Sequence, residues 1–234
     1  MVRREALKPA VKTRDTERIG MKHLPTLLFA TFACVVACAQ NPITTDSPYH
    51  VTYASNLTIG DSVINITNTG AFGAGLGSGT TATVTGSICA NVYVYNPDEG
   101  VVSCCSCPVT PNGLVSLSAK TDLISNALTP GTATSIVIKL VATAPAGGSC
   151  NNSALLAGTP ILVPGLVAWG TKLHANTSAA AGTYSVTETE FTPATLSAGE
   201  QARLAYGCGA VNNIGSGFGV CNSCRLGGLG SVQQ

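Results

Sequence analysis

The chain has 234 residues, of which 45% are hydrophobic and only 10% charged, with a formal net charge of +1. Seven of its 12 Lys and Arg fall in residues 1–23, so beyond that point five basic residues stand against eight acidic ones, a balance of −3. That balance leaves no basic stripe to displace counterions from phosphate, which argues against a nucleic-acid partner, and a charged fraction well below the usual quarter leaves Thr, Ser, Asn, Gly and Ala to cover the surface.

Residues 1–20 are charged and aperiodic and read as a leader extension or a mis-assigned start. Met21 then opens MKHLPTLLFATFACVVACAQ, a short basic start followed by an apolar run from Leu24 to Ala37 and small residues. This is the layout of an export signal over residues 21–39, and the run is too short to serve as a permanent membrane span. Two processing chemistries fit. Ala37-Cys38-Ala39 before Gln40 suits a small-residue peptidase, whereas Val35-Val36-Ala37-Cys38 resembles a lipoprotein box that would acylate Cys38 and tether the protein to a membrane. The expected location is extracellular or at the cell surface, with an envelope lipoprotein as the alternative.

From Gln40 on, strand signals dominate. YHVTYA (49–54), DSVINITN (61–68), TATVTGSICANVYVY (81–95), GLVSLSA (113–119), ATSIVIKLVAT (133–143), GLVAWGTKLHA (165–175) and GTYSVTETEF (182–191) are rich in β-branched and aromatic residues at period two. In the 133–143 run, Ile136, Ile138 and Leu140 fall on one face and Ser135, Val137 and Lys139 on the other. Turn formers separate the runs, among them the glycine-rich stretch 70–80, which reads as a mobile loop without the lysine or helix that phosphate cradling needs. This punctuation predicts a mainly β fold: an antiparallel β-sandwich, Ig-like or jelly-roll-like, over residues 40–195. Lys120–Ala127 is expected to form a turn or two of helix. Ser197 with Glu200 makes a capping box that opens a helix through Tyr206. After Gly207 the chain reads as a cysteine-rich tail, so residues 196–234 form a helical, cysteine-bearing segment on the same domain.

Eight cysteines follow the leader: Cys89, Cys104, Cys105, Cys107, Cys150, Cys208, Cys221 and Cys224. An even number in an exported chain predicts a disulfide framework, though roughly a hundred pairings are open. If 101–107 is extended, Cys105 and Cys107 share a face and Cys104 shares the other with Val102. Adjacent Cys104 and Cys105 then do not pair together, Cys89 is the expected partner of Cys104, and Pro108 is expected to end the strand. Two other chemistries remain: a four-thiolate metal site from Cys105, Cys107, Cys221 and Cys224, and a redox-active Cys221/Cys224 pair. Arg225 after Cys224 argues against haem attachment. Disulfides are the expected state, with no cofactor and no metal.

Reactive side chains are few. His174 and His50 read as structural, Glu188 and Glu190 share one strand face, and Asp98 and Glu99 sit in a turn. No phosphate loop, dinucleotide fingerprint, zinc-protease helix, calcium loop or nucleophile elbow is present, so no catalytic residue is assigned and the chain is not read as an enzyme.

GDSVINITNTGA (60–71) is similar to a strand pair of bacterial surface β-sandwich modules and matrix-fibre subunits. NPDEGVVSCCSCPVTPNGLVSLS (96–118), LVAWGTKLHANT (166–177) and GSGFGVCNSCRLGGLG (215–230) together resemble an uncharacterised family of secreted, cysteine-containing proteins of soil bacteria. The resemblance implies export and a cysteine-centred fold and transfers no functional residue. The expected role is structural or adhesive, with a homo-oligomer or fibre as its assembly and QNPITTDSPYHVTYA (40–54) as the strand donated to a neighbour. The alternatives are a carbohydrate- or small-ligand-binding sandwich using Trp169 and Tyr184, for which a glycan would be the partner, and a secreted hydrolase resting on Glu188, Glu190 and His174.

Overall fold

The computed structural model describes residues 46–75, 85–128, 131, 133–151, 160–176 and 183–226, all of which belong to one compact unit, Pro42–Gln234. The readings on residues 1–20, on the export segment with Cys38, on residues 40–45 and on residues 76–84 lie outside the described residues.

The expected sandwich forms from ten strands among the described residues: β1 (Tyr49–Ala54), β2 (Val63–Asn68), β3 (Ile88–Tyr95), β4 (Val101–Val109), β5 (Leu114–Ser118), β6 (Ile136–Thr143), β7 (Leu166–Ala175), β8 (Tyr184–Glu190), β9 (Thr192–Pro193) and β10 (Arg225–Leu226). They pair as two five-stranded sheets in the orders β4-β3-β6-β1-β9 and β10-β5-β2-β7-β8, and every pairing is antiparallel. Period-two alternation decides the faces. Ile136, Ile138 and Leu140 point inward as expected and meet Ile64, Ile66, Val115, Leu117, Leu166 and Ala168 of the facing sheet. Each such side chain contributes about 1.5–3 kcal/mol when fully buried.

β3 is buried on both faces, because a helix, α1 (Ala198–Ile214), covers the outer face of its sheet. Leu204, Ala205, Cys208 and Val211 of α1 pack on Tyr49, Tyr93, Tyr95, Cys104 and Val141. The Ser197 hydroxyl caps the helix as expected, accepting from the Glu200 N–H at 3.1 Å. The helix does not stop at Gly207. It runs to Ile214 and ends at Gly215 in the left-handed region, φ 63°. Gly207 stays helical because the helix presses close to β4 there: a Cβ would lie 2.8 Å from Val101 Cγ2. The turn expected near residue 120 is a short π-helical segment, Ala119–Ile124.

Three local expectations need correction. Val102 and Cys104 do not share a face, because a bulge puts Tyr95 opposite Val101 and Val94 opposite Ser103. Val102 is the extra residue and turns into the core, while Cys104 faces α1. Pro108 does not end β4, which continues to Val109. β4 borders its sheet, and the Cys104 N–H already points away from β3 toward Gly219 O, at 2.8 Å. Pro108 has the same parity, so its missing N–H removes no ladder bond. Finally, residues 49–54 are not a strand held out for a neighbour: β1 lies between β6 and β9 of its own chain.

The chain crosses from one sheet to the other at both lateral edges. On one side, buried Phe191 carries β8 into β9, its N–H donating to Ala168 O at 2.9 Å. On the other, residues 215–224 run from α1 along the free edge of β4, bridging Val220 to Cys104, and end in β10 beside β5. This second crossing is a strap, and it carries the cysteines.

Candidate functional site

All eight cysteines pair: Cys89–Cys150, Cys104–Cys208, Cys105–Cys221 and Cys107–Cys224, with Cα separations of 5.4, 5.9, 5.4 and 5.5 Å. These separations lie in the range an unforced bridge requires. The expected staples are therefore present. The expected Cys89 partner for Cys104 is replaced by Cys208, because Cys104 points out of the sandwich onto α1. Cys105 and Cys107 point inward and receive the two strap cysteines. Three bridges thus join one strand to one continuous segment, the first outside the sheet and the other two inside.

Hydrogen bonds hold the strap independently of sulfur. The Asn126 amide donates to Gly217 O (2.7 Å) and Val220 O (3.1 Å), and Asn126 O accepts from the Gly219 N–H at 2.7 Å. Buried Asp122 accepts from the Ser118 N–H at 2.7 Å and from the Ser223 hydroxyl at 2.9 Å, while its carbonyl accepts from the Asn222 N–H at 3.0 Å. The Asn222 amide reaches Thr121 O and Ser125 Oγ. The π-helical segment is the cradle for this strap, a role that period reading of residues 120–127 gave no sign of.

A cleft of about 380 Å³ opens beside the bridges, with Cys105, Ser106, Cys150, Cys221, Ser223 and Cys224 in its wall. The Sγ atoms of Cys105, Cys107 and Cys224 lie within 4.8 Å of one another, so two disulfides meet side by side. Ser106 Oγ is buried without a hydrogen-bond partner among the described residues.

A second cluster lies under the start of α1. Lys139, outward on β6, pairs with Glu200 at 2.6 Å and stands 5.0 Å from the Tyr95 ring centroid. Burial, reinforced by the Glu200 carboxylate, pushes the Tyr49 hydroxyl up to about 12. Burial raises Tyr93 and Tyr95 as well. Arg203 meets Glu99 at 2.9 Å in solvent. Among the described residues, the Tyr93 hydroxyl is buried without a partner. Only the alternation of β6 and the acidic first turn of α1 hinted at the Lys139–Glu200 contact.

Other singled-out residues do not converge. Trp169, Tyr184, Glu188 and Glu190 share the outer face of the β7–β8 pair, as the register Trp169↔Glu190, Thr171↔Glu188, Ala175↔Tyr184 requires. Trp169 and Tyr184 are separated by six residues' length of strand, about 20 Å. His174 is on the opposite face, bonded to Thr187 Oγ1 at 2.8 Å, so it does not meet Glu188 or Glu190. Glu188 accepts from the Asn65 amide at 3.1 Å. His50 is buried and donates from Nε2 to Ser47 O at 2.7 Å. Asp98 and Glu99 occupy the exposed β3–β4 turn. Among the described residues no helix is long and apolar enough to cross a membrane. Comparison of the chain with protein-family models, with curated proteins and with solved structures gave no match.

Proposed function

We propose that the protein is an exported structural or adhesive domain whose working unit is a pair of chains joined edge to edge through β8. Four disulfides fit maturation in an oxidising compartment, and the sparsely charged surface suits close packing of copies.

The observation that carries the proposal is the state of the sheet edges. Among the described residues, the strap runs along β4, β9 partly covers β1, and β10 lies on β5, but β8 pairs only with β7 and is exposed along nearly all of its seven residues. Such an edge is a template for another strand. The sequence of β8 favours a second copy as that strand. Antiparallel self-pairing centred on Thr187 puts Glu188 opposite Val186 and Glu190 opposite Tyr184, so the carboxylates avoid each other. Parallel in-register pairing would stack like charges. A two-fold pair of this kind closes on itself, so a fibre would require a further contact elsewhere on the molecule.

Sedimentation of the exported protein over a wide concentration range tests the reading. The N–H groups of Tyr184, Val186, Glu188 and Glu190 point to the open edge, because the odd residues of β8 bond to β7. A monomer–dimer equilibrium that Val186→Pro abolishes, with unchanged near-UV circular dichroism, is the expected result. A strict monomer, or a dimer indifferent to Val186→Pro and Val186→Lys, would overturn it.

A further inference from the structure

We infer that the reduced protein holds a zinc ion between strand and strap, using the thiolates of Cys105, Cys107, Cys221 and Cys224. The oxidised chain stores these ligands as two neighbouring disulfides. The inference does not depend on the β8 pairing.

Three of the four ligands are already gathered. In a tetrahedral four-thiolate site with Zn–S bonds of about 2.3 Å, neighbouring sulfurs stand about 3.8 Å apart. The Sγ atoms of Cys105, Cys107 and Cys224 are already within 4.8 Å of one another, and Cys221 Sγ is bonded to Cys105. Cys221 is the ligand that must move in toward the other three once its bond to Cys105 opens.

The backbone that carries the ligands is fixed by other means. Cys105 and Cys107 alternate with Ser106 on β4, whose ladder with β3 runs from Val101 to Val109. Cys221 and Cys224 sit on the strap, which Asn126, Asp122 and Asn222 hold by hydrogen bonds. The fully buried Cys104–Cys208 bridge also keeps it in place. Reduction of the two bridges therefore leaves four thiols gathered rather than dispersed.

Access is also provided. Cys221 and Cys224 are partly exposed and line the cleft, whereas Cys104 and Cys208 are sealed under α1. A small dithiol reaches the former pair first.

The chemistry balances as follows. Two equivalents of a dithiol reduce the two disulfides, delivering four electrons and four protons and leaving as two cyclic disulfides. Zn²⁺ then displaces four protons from the four thiols, forming four Zn–S bonds. The product places the strap where the disulfides place it, so either the metal or the oxidised state locks the same fold.

The test uses the full exported chain, reduced under native conditions with excess dithiol, freed of it anaerobically, and titrated with Zn²⁺ and separately with Co²⁺. One zinc per chain in native mass spectra and intense thiolate-to-cobalt absorption with tetrahedral visible bands are expected. Cys221→Ser/Cys224→Ser, which leaves β4 untouched, should weaken zinc binding at least 100-fold. If the reduced wild type retains no metal, or if that double variant keeps the stoichiometry and cobalt spectrum, the inference fails.

Discussion

Cys104 and Cys105 are consecutive in the chain, yet one is bonded to Cys208 outside the sheet and the other to Cys221 inside it. The pleat of β4 sends them apart, and the strap, coming off α1 and round the free edge, meets both faces in turn. The three bridges of β4, one to α1 and two to the strap, are therefore interlocked rather than independent. Whichever forms first closes a loop of over a hundred residues, and the others close only short additional loops.

Interlocking sets an order of stabilities. With the other bridges intact, removing Cys104–Cys208 reopens an effective loop of about 15 residues, about 3 kcal/mol, and removing Cys107–Cys224 one of about five, about 2 kcal/mol. Cys89–Cys150 closes a loop of 61 residues that the other bridges do not shorten, and its removal is expected to cost about 4 kcal/mol. Paired Cys→Ala variants compared by urea denaturation check this. A larger loss from Cys107/Cys224 than from Cys89/Cys150 would contradict the interlocked account.

The tyrosines under α1 make stability fall at alkaline pH. In the unfolded chain Tyr49 ionises near pH 10, while in the fold burial and Glu200 hold its proton to about 12. Below pH 10 both states are protonated and the shift contributes no slope. Between 10 and 12 the folded state binds more protons, so stability drops as pH rises, by up to about 1.4 kcal/mol per pH unit for each such tyrosine. Tyr93 and Tyr95 are raised too and steepen the fall. Urea midpoints from pH 8 to 12 should decline above 10, and Tyr49→Phe should flatten the decline. An identical slope in the variant would remove Tyr49 from the account.

Lys172 Nζ stands 3.3 Å from the centroid of the Tyr53 ring, linking the inward face of β7 to the open edge of β1. At an exposed site such a contact contributes about 0.5–1 kcal/mol. Lys172→Met keeps most of the stem and should lose that amount, and the loss should disappear when Tyr53 is already Leu. A double-mutant cycle with no coupling would show that the contact is incidental.

The sheets were legible in the sequence because one face of each strand is apolar: the alternation of Ile136, Ile138 and Leu140 fixes orientation without any knowledge of partners. The capping of α1 was legible for a similar reason, since Ser197 and Glu200 interact within one turn. What escaped depends on neighbours distant in sequence. The bulge at Val102 exists through its register with Val94 and Tyr95, and it alone moves Val102 off the face of Cys104. The partner of Cys104 follows from where α1 lies, and the pairing of Cys105 and Cys107 follows from the path of a strap that its glycines and asparagines do not announce. At the candidate site, the eight sulfurs could be named as staples but the cradle formed by Asp122 and Asn126 could not, because both residues work by reaching another part of the chain.

Gly207 shows how such context reverses a local rule. In an exposed helix interior, Gly→Ala stabilises by about 1 kcal/mol. Here the new methyl would stand 2.8 Å from Val101 Cγ2, and a β-branched side chain has little rotamer freedom to give way. Gly207→Ala is therefore expected to destabilise by about 1–3 kcal/mol through overpacking. In a Val101→Ala background the obstructing methyl is gone, and the same substitution should become neutral or stabilising. Thermal denaturation of the four proteins decides between the readings: if Gly207→Ala raises the melting temperature in both backgrounds, propensity governs and close packing is not the reason for glycine. If its effect changes sign with Val101, the contact with β4 explains why a helix continues through a residue that, read alone, would have ended it.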